Sequence, residues 1–279
     1  MREYDKFGLL TIMIGLGAAS PALAEDGERA GTEGAQLHGS VYAMAAAAPD
    51  YVGSDDYRAV PFGGAYLQYG NFYFVTEGSG ASLNVSPIAQ VIAGPSVNYR
   101  FGRQAEDIDS TAVAALGDLD DAFEAGGFLG VRLSGLLSPR DRLQVSGKVL
   151  FDVSDTHDGH VGEIAVQYDL PVSRSFSVTA QVDGSWASEE FIDYQFGVDA
   201  FSIAEAGAPA AGLSEYHGKA GFYEVRSSLI GRYLVTDHVA VMAIGSYGHL
   251  LENAVDSPLV EIEGSQSQVF GGLGLAYMF

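Results

Sequence analysis

Residues 174–186 read RSFSVTAQVDGSW. Phe176, Val178, Ala180, Val182 and Trp186 fall on one side of an extended chain, and Ser175, Ser177, Thr179, Gln181, Asp183 and Ser185 fall on the other. A period of two is the signature of a β-strand with one apolar and one polar face. The preceding run EIAVQYDL (163–170) repeats it, with Ile164, Val166, Tyr168 and Leu170 opposite Glu163, Ala165, Gln167 and Asp169. So does RLQVSGKVLFDV (142–153), with Leu143, Val145, Val149, Phe151 and Val153 opposite Gln144, Ser146, Lys148 and Asp152. These runs are longer than the roughly 5 to 6 residues of a typical soluble strand. They match the roughly 9 to 11 that a tilted membrane-spanning strand needs.

The connections separate into two kinds. LSPRD (137–141), DLPVSRS (169–175) and LVTDH (234–238) are tight turns, whereas 104–122, 188–215 and 252–265 are long and polar or rich in Gly and Ala. Short turns at one end and long loops at the other describe an outer-membrane barrel. Eleven runs carry the strand pattern, around 37–47, 59–69, 72–77 (with an extension to 85 open), 88–101, 124–136, 141–153, 161–170, 174–186, 217–234, 238–250 and 267–279. Bacterial barrels have even strand numbers, so one strand is merged or missed. The region 70–102 is the first suspect and YQFGV at 194–198 the second. The expected fold is therefore an all-β, transmembrane antiparallel barrel of about twelve strands, with ten as the fallback. The stretch 105–125 has room for a short helix but is read as a loop. Tyr168, Tyr233 and Phe101 stand near strand ends, where an aromatic girdle would sit.

At the N-terminus, MREYDK, FGLLTIMIGLG and ASPALA read as the charged, apolar and cleavage regions of a signal peptide, with the cut between Ala24 and Glu25. About eleven strongly apolar residues are too few for an anchoring helix, which needs roughly 20. The expected domains are a signal peptide at 1–24 and one barrel at 25–279. Two basic and two acidic residues leave with the signal, so the mature chain keeps the net charge of −22. That acidity argues against a nucleic-acid partner. The absence of cysteine rules out a disulfide framework, and stability must come from burial and hydrogen bonding. An exported chain that is 47% hydrophobic has either to bury those side chains or to turn them into a membrane.

Several residues could carry chemistry. Arg132, Lys148, Glu163, Asp183, Glu224, Arg226 and Arg232 fall on the polar faces of neighbouring strands. They would form either a selectivity constriction or a salt-bridge network that closes the lumen, and the network is the preferred reading. His157, Asp158 and His160 in SDTHDGH suit zinc or copper only if distant ligands converge on them, and a turn is the preferred reading. Glu106, Asp107, Asp109, Asp118, Asp120 and Asp121 could bridge divalent cations to lipopolysaccharide, but they read as a solvated loop. No G-x-S-x-G or H-E-x-x-H motif and no Ser–His pairing on facing strands is present, and His238 and His249 read as strand-end residues. No cofactor is implied, and catalysis is not expected.

The chain also resembles the MipA/OmpV family of outer-membrane proteins. The resemblance is carried by Tyr51-Val52-Gly53-Ser54 followed by a strand opening on Pro61, by Tyr99-Arg100-Phe101-Gly102-Arg103, and by Phe196-Gly197-Val198. Gly212-Leu213, Tyr216 before Gly221, the GRYLVTDHVAV hairpin (231–241) and Asp256-Ser257-Pro258 continue it in family order. Gln195 and His238 depart from it, where the family pattern has no residue between Tyr and Phe and has Trp, respectively. The resemblance implies an outer-membrane location in a Gram-negative envelope, in contact with lipid and lipopolysaccharide. It also implies a scaffolding role between a lytic murein transglycosylase and a bifunctional penicillin-binding protein. A narrow channel for small solutes is the alternative, and a hydrolase the third reading. Families of this architecture often end on an aromatic read by the barrel assembly machinery, which would assign that signal to Tyr277 and Phe279.

Overall fold

The computed structural model describes residues 36–279, and the expected signal segment with its Ala24–Glu25 cut lies outside them. Twelve antiparallel strands close into a barrel: β1 (Leu37–Pro49), β2 (Tyr57–Tyr69), β3 (Phe72–Glu77), β4 (Gly80–Asn84), β5 (Val91–Arg100), β6 (Ala122–Ser134), β7 (Arg142–Asp152), β8 (His160–Pro171), β9 (Phe176–Ala187), β10 (Gly221–Leu234), β11 (Val239–Leu250) and β12 (Ser267–Met278). Each strand pairs with its sequence neighbours, and β1 closes on β12 from Ser40↔Met278 to Ala47↔Gly271. Closure leaves no sheet edge, so every strand has a ladder on both sides.

The strand that the pattern merges is β4. β3 turns into it through Gly78 and Ser79, with Glu77 opposite Gly80 and Gly78 at φ 60°. A two-residue hairpin of this kind needs the left-handed backbone that glycine takes without strain. The second suspect, 194–198, is not a strand. Tyr194 to Phe196 end α2 (Glu189–Phe196).

Alternation decides which way each side chain points. Val145, Ile164, Val182, Leu229, Leu273 and Leu275 are exposed on the outer wall, while Gln167, Gln181, Asp183, Ser185 and Ser246 are buried inside. Exposed aromatics mark both rims. Tyr69, Phe72, Phe176, Tyr233, Tyr277 and Phe279 lie near the short-turn end, and Tyr57, Tyr99, Phe123, Phe151, Phe222 and Tyr247 near the other. Along β10, Phe222 and Tyr233 are eleven residues apart. At about 3.3 Å per residue and a tilt of about 40°, that is about 28 Å along the barrel axis, close to the ~25 Å apolar band of such barrels. Tyr168 stands toward the short-turn rim, whereas Phe101 lies just beyond β5 at the long-loop rim.

The long loops all emerge at the end opposite the described termini, and they are structured. The stretch 105–125, expected as a loop, contains a 3-10 turn (Ala105–Asp107) and α1 (Thr111–Ala114), which Ser110 caps by accepting from the Val113 amide at 3.2 Å. The loop after β9 holds α2 and α3 (Ala200–Ala206), and the loop after β11 holds α4 (Glu252–Val255) and α5 (Pro258–Glu261). Two apolar clusters join these segments. Val161, Phe191, Ile192, Phe196, Leu250 and Val260 form one, and Tyr51, Val113, Val198, Ala210, Leu213 and Leu259 the other. Burial of this kind is worth roughly 1.5–3 kcal/mol per large side chain, enough to hold short helices that would not form alone.

Candidate functional site

The lumen is two-sided. Near the β1–β12 seam it is filled by Met44, Val60, Ile230, Met242, Ile244, Phe270 and Met278, whose side chains pack together. The opposite wall, from β3 to β10, carries charge. All seven basic and acidic residues singled out from the alternation lie on β6 to β10. Lys148 and Glu163 are registered neighbours on β7 and β8, and Asp183 and Arg226 are neighbours on β9 and β10.

Their pairing departs from simple adjacency. Lys148 makes its ion pair with Glu77 of β3, across from its own strand. Glu77, the last residue of β3, is absent from the set of charges drawn from the sequence. Arg226 pairs with Glu224 two residues away on its own strand, at 2.5 Å. Gln181 donates to Asp183 at 2.9 Å, and Oε2 of Glu163 is enclosed without a partner. Nearer the short turns, Arg132 donates to Gln144 at 3.2 Å and stands over the Tyr73 ring at 5.2 Å. Arg232 is half-buried toward the same end. Glu77, Lys148, Glu163, Asp183, Arg226 and Glu224 thus lie close enough to act on one another's charge across β3 and β7 to β10, while Arg132 and Arg232 stand toward the short turns.

The densest polar cluster lies at the long-loop end, and the alternation alone does not reveal it. Glu124 is fully buried at the start of β6. Its carboxylate accepts from Arg100 Nε at 2.8 Å and Arg100 Nη2 at 3.1 Å, a two-pronged pair, and from Asn98 Nδ2 at 2.7 Å. His157 completes it. The Gly159 amide donates to His157 Nδ1 at 3.0 Å, which leaves Nε2 to carry the proton toward Glu124 Oε1 at 3.2 Å. The Phe191 ring of the cap lies 4.5 Å from the Arg100 guanidinium carbon and packs edge-on against His157. A cation desolvated on an aromatic face while its edge is paired is well compensated. Tyr194 covers the cluster, and burial pushes its phenol up to about 12, against the pull of the Arg100 charge. The neutral hydroxyl donates to the Asp120 carbonyl at 2.6 Å.

This geometry engages His157 fully and leaves no lone pair free for a metal. Asp158 sits at φ 54° in the turn, and His160 stacks on Phe151 with the Trp186 ring tilted against it. The acidic loop residues serve mainly as acceptors for the loop itself. Asp118 accepts from the Ala105 amide, Asp121 from the Gly102 amide and the Tyr99 hydroxyl, and Asp107 pairs with Arg58 at 2.8 Å. Among the described residues, oxygens of Asp50, Asp56 and Asp109 come within 4.8 Å of one another. His238 and His249 lie at strand ends, with His238 Nδ1 3.0 Å from the Met278 carbonyl.

The family described as MltA-interacting protein MipA matches residues 41–279, which takes in every strand of the barrel. The chain belongs to the MipA family. Among curated relatives, YiaT of Escherichia coli (strain K12), whose name describes it as an outer membrane protein, is 30% identical over 127 residues. That match spans 46% of this chain and 49% of the relative, about half of each. Similar solved structures include an outer membrane channel of Pseudomonas putida F1, with a TM-score of 0.45 and 11% identity over 91% of this chain and 99% of that one. The outer membrane channel DcaP of Acinetobacter baumannii has a TM-score of 0.40 and 11% identity over 88% and 96%. This MipA-family chain is an outer-membrane β-barrel protein of the cell envelope.

Proposed function

We propose that this protein is a non-enzymatic, non-conducting scaffold that presents its periplasmic rim to envelope partners. The observation that supports this reading is the packing of the long loops into the two buried apolar clusters over the Arg100–Glu124–His157 network, at the mouth through which a solute would have to pass. A cap held by two buried apolar clusters opens only at the cost of exposing them. The family name, MltA-interacting protein, supports a partner of the MltA kind, a lytic murein transglycosylase; a bifunctional penicillin-binding protein as second partner rests on the family resemblance alone. The seven lumen charges would then serve to fill and rigidify the barrel. Planar-bilayer recording of the purified protein is expected to show no stable conductance steps, and a pull-down from envelope extract with the native barrel is expected to recover a murein transglycosylase. Stable, ion-selective steps together with an empty pull-down would replace the scaffold with a channel.

The charged wall favours the narrow channel as the second reading, because both signs line one side of the lumen. We also read Tyr277 and Phe279 as an assembly signal. Phe279 exchanges two backbone hydrogen bonds of 3.0 Å with Gly39 at the seam, and its ring stacks on Tyr277. Deleting Phe279 is expected to lower the yield of heat-modifiable folded barrel, and an unchanged yield would remove this assignment.

A further inference from the structure

At the outer end, the loop after β1, the segment beyond β5 and helix α2 enclose a cleft lined by Tyr51, Arg58, Arg100, Arg103, Leu119 and Tyr194. Two of its three arginines are committed, Arg58 to Asp107 and Arg100 to Glu124. Arg103 is not. It is 8% exposed, its guanidinium makes no hydrogen bond with any described residue, and its Nε is fully enclosed. Burial lowers its affinity for its proton below the usual arginine range, against the pull of Tyr51, Tyr194 and Asp118, yet an arginine remains charged in a protein. Of the groups that act on it, Asp118 has Oδ1 occupied by the Ala105 amide, and the Tyr51 and Tyr194 hydroxyls donate to carbonyls of Leu259, Glu263 and Asp120.

A buried, unpaired guanidinium is costly, and proteins rarely keep one without use. Here the backbone holds it in place. The Leu119 amide donates to the Arg103 carbonyl at 2.7 Å, and the Gly102 amide donates to Asp121 at 2.8 Å. A side chain at Gly102 would meet the Leu119 carbonyl at 1.9 Å, so the two strands of this loop approach as closely as backbone allows. The backbone that carries Arg103 is thereby fixed before any ligand arrives, which reduces what has to be ordered on binding. Asp50 lines the same cleft with Oδ1 buried and without a partner, its Oδ2 accepting from the Asp109 amide at 2.9 Å. A negative group in the same cleft disfavours multiply charged ligands relative to a compact single charge.

We propose that this cleft is an anion site, in which Arg103 binds the oxygens of a small, singly charged oxyanion of the carboxylate or protonated-phosphate type. The site is independent of whether the lumen conducts. Isothermal titration of the detergent-solubilised full barrel with acetate, and separately with inorganic phosphate at pH 6, tells the two chemical sources apart. Saturable binding of at least one is expected. Arg103→Gln is expected to weaken it at least tenfold, and Asp50→Asn, which keeps an acceptor for the Asp109 amide, to strengthen it several-fold. Heat-modifiability of each variant reports folding, and if Arg103→Gln does not fold, the sign of the Asp50→Asn change decides. No saturable binding of either anion, equal affinity in wild type and Arg103→Gln, or weaker binding in Asp50→Asn would overturn the proposal.

Discussion

Glu124 shows how much one residue can hold. It has no exposure and receives hydrogen bonds from Arg100 and Asn98 and, in the tautomer set by Gly159, from His157. Replacing it by alanine strands the Arg100 cation beneath the cap, and breaking a buried pair from one side costs about 3–5 kcal/mol. Glu124→Ala is expected to lower the unfolding temperature on a heat-modifiability gel far more than the double variant Glu124→Leu, Arg100→Met, which removes both charges. Equal losses would show that packing, and not charge pairing, matters there. Asp141 gives a pH counterpart in the short turn between β6 and β7. Burial works against its charge, but the Tyr168 hydroxyl and the amides of Leu137, Ser138 and Leu136 outweigh this and hold its carboxyl well below the usual carboxylate range. A depressed carboxylate contributes stability that is complete above its unfolded value near ~3.9 and disappears as pH falls through the folded value. Wild type should therefore exceed Asp141→Asn in stability by a constant margin from pH 7 to 5, and the margin should shrink as pH falls below 4. A margin unchanged down to pH 2 would mean the turn does not depend on that charge.

At the scale of elements, the strands were legible because alternation of apolar and polar residues is a direct image of a wall with lipid on one side and packed polar groups on the other. β9 and β8 show it most plainly, since Val178, Val182, Ile164 and Val166 face outward and Gln181, Asp183, Gln167 and Glu163 inward. β4 was not legible, because its hairpin carries no polar run or proline, only Gly78 and Ser79 between two short strands. Glu77 ends the run read at 72–77 but is outside the set of charges drawn from the polar faces, so the partner of Lys148 was missed. The cap helices were hidden for a different reason. They have four to eight residues each and exist through contacts between loops far apart in sequence, such as Ser257 Oγ donating to the Phe196 carbonyl at 2.6 Å. No local pattern encodes that. The β4–β5 junction yields its own prediction. Strand pairing there stops at Ser82↔Ser96, Asn84 Oδ1 accepts from the Ala93 amide at 2.8 Å, and a side chain at Gly94 would meet the Leu83 carbonyl at 1.9 Å. Gly94→Val is expected to reduce folded barrel sharply in a refolding assay, whereas Gly245→Val, which meets nothing within 4 Å, is expected to refold at or near the wild-type yield.

For the whole molecule, closure and orientation decide the rest. Twelve strands with an apolar exterior, aromatic rims and a lumen filled on one side and charged on the other place the acidic, structured loops together at one end and the short turns with the C-terminal strand at the other. The most direct measurement exploits a chain without cysteine. Single cysteines at Val178, Thr179, Ala180, Gln181, Val182 and Asp183, spin-labelled and reconstituted in bilayers, report contact with hydrocarbon through collision with dissolved oxygen. The account predicts high oxygen accessibility at 178, 180 and 182 and low accessibility at 179, 181 and 183. Low accessibility at 178, 180 and 182, as it would be if those side chains packed against a second sheet, would contradict it.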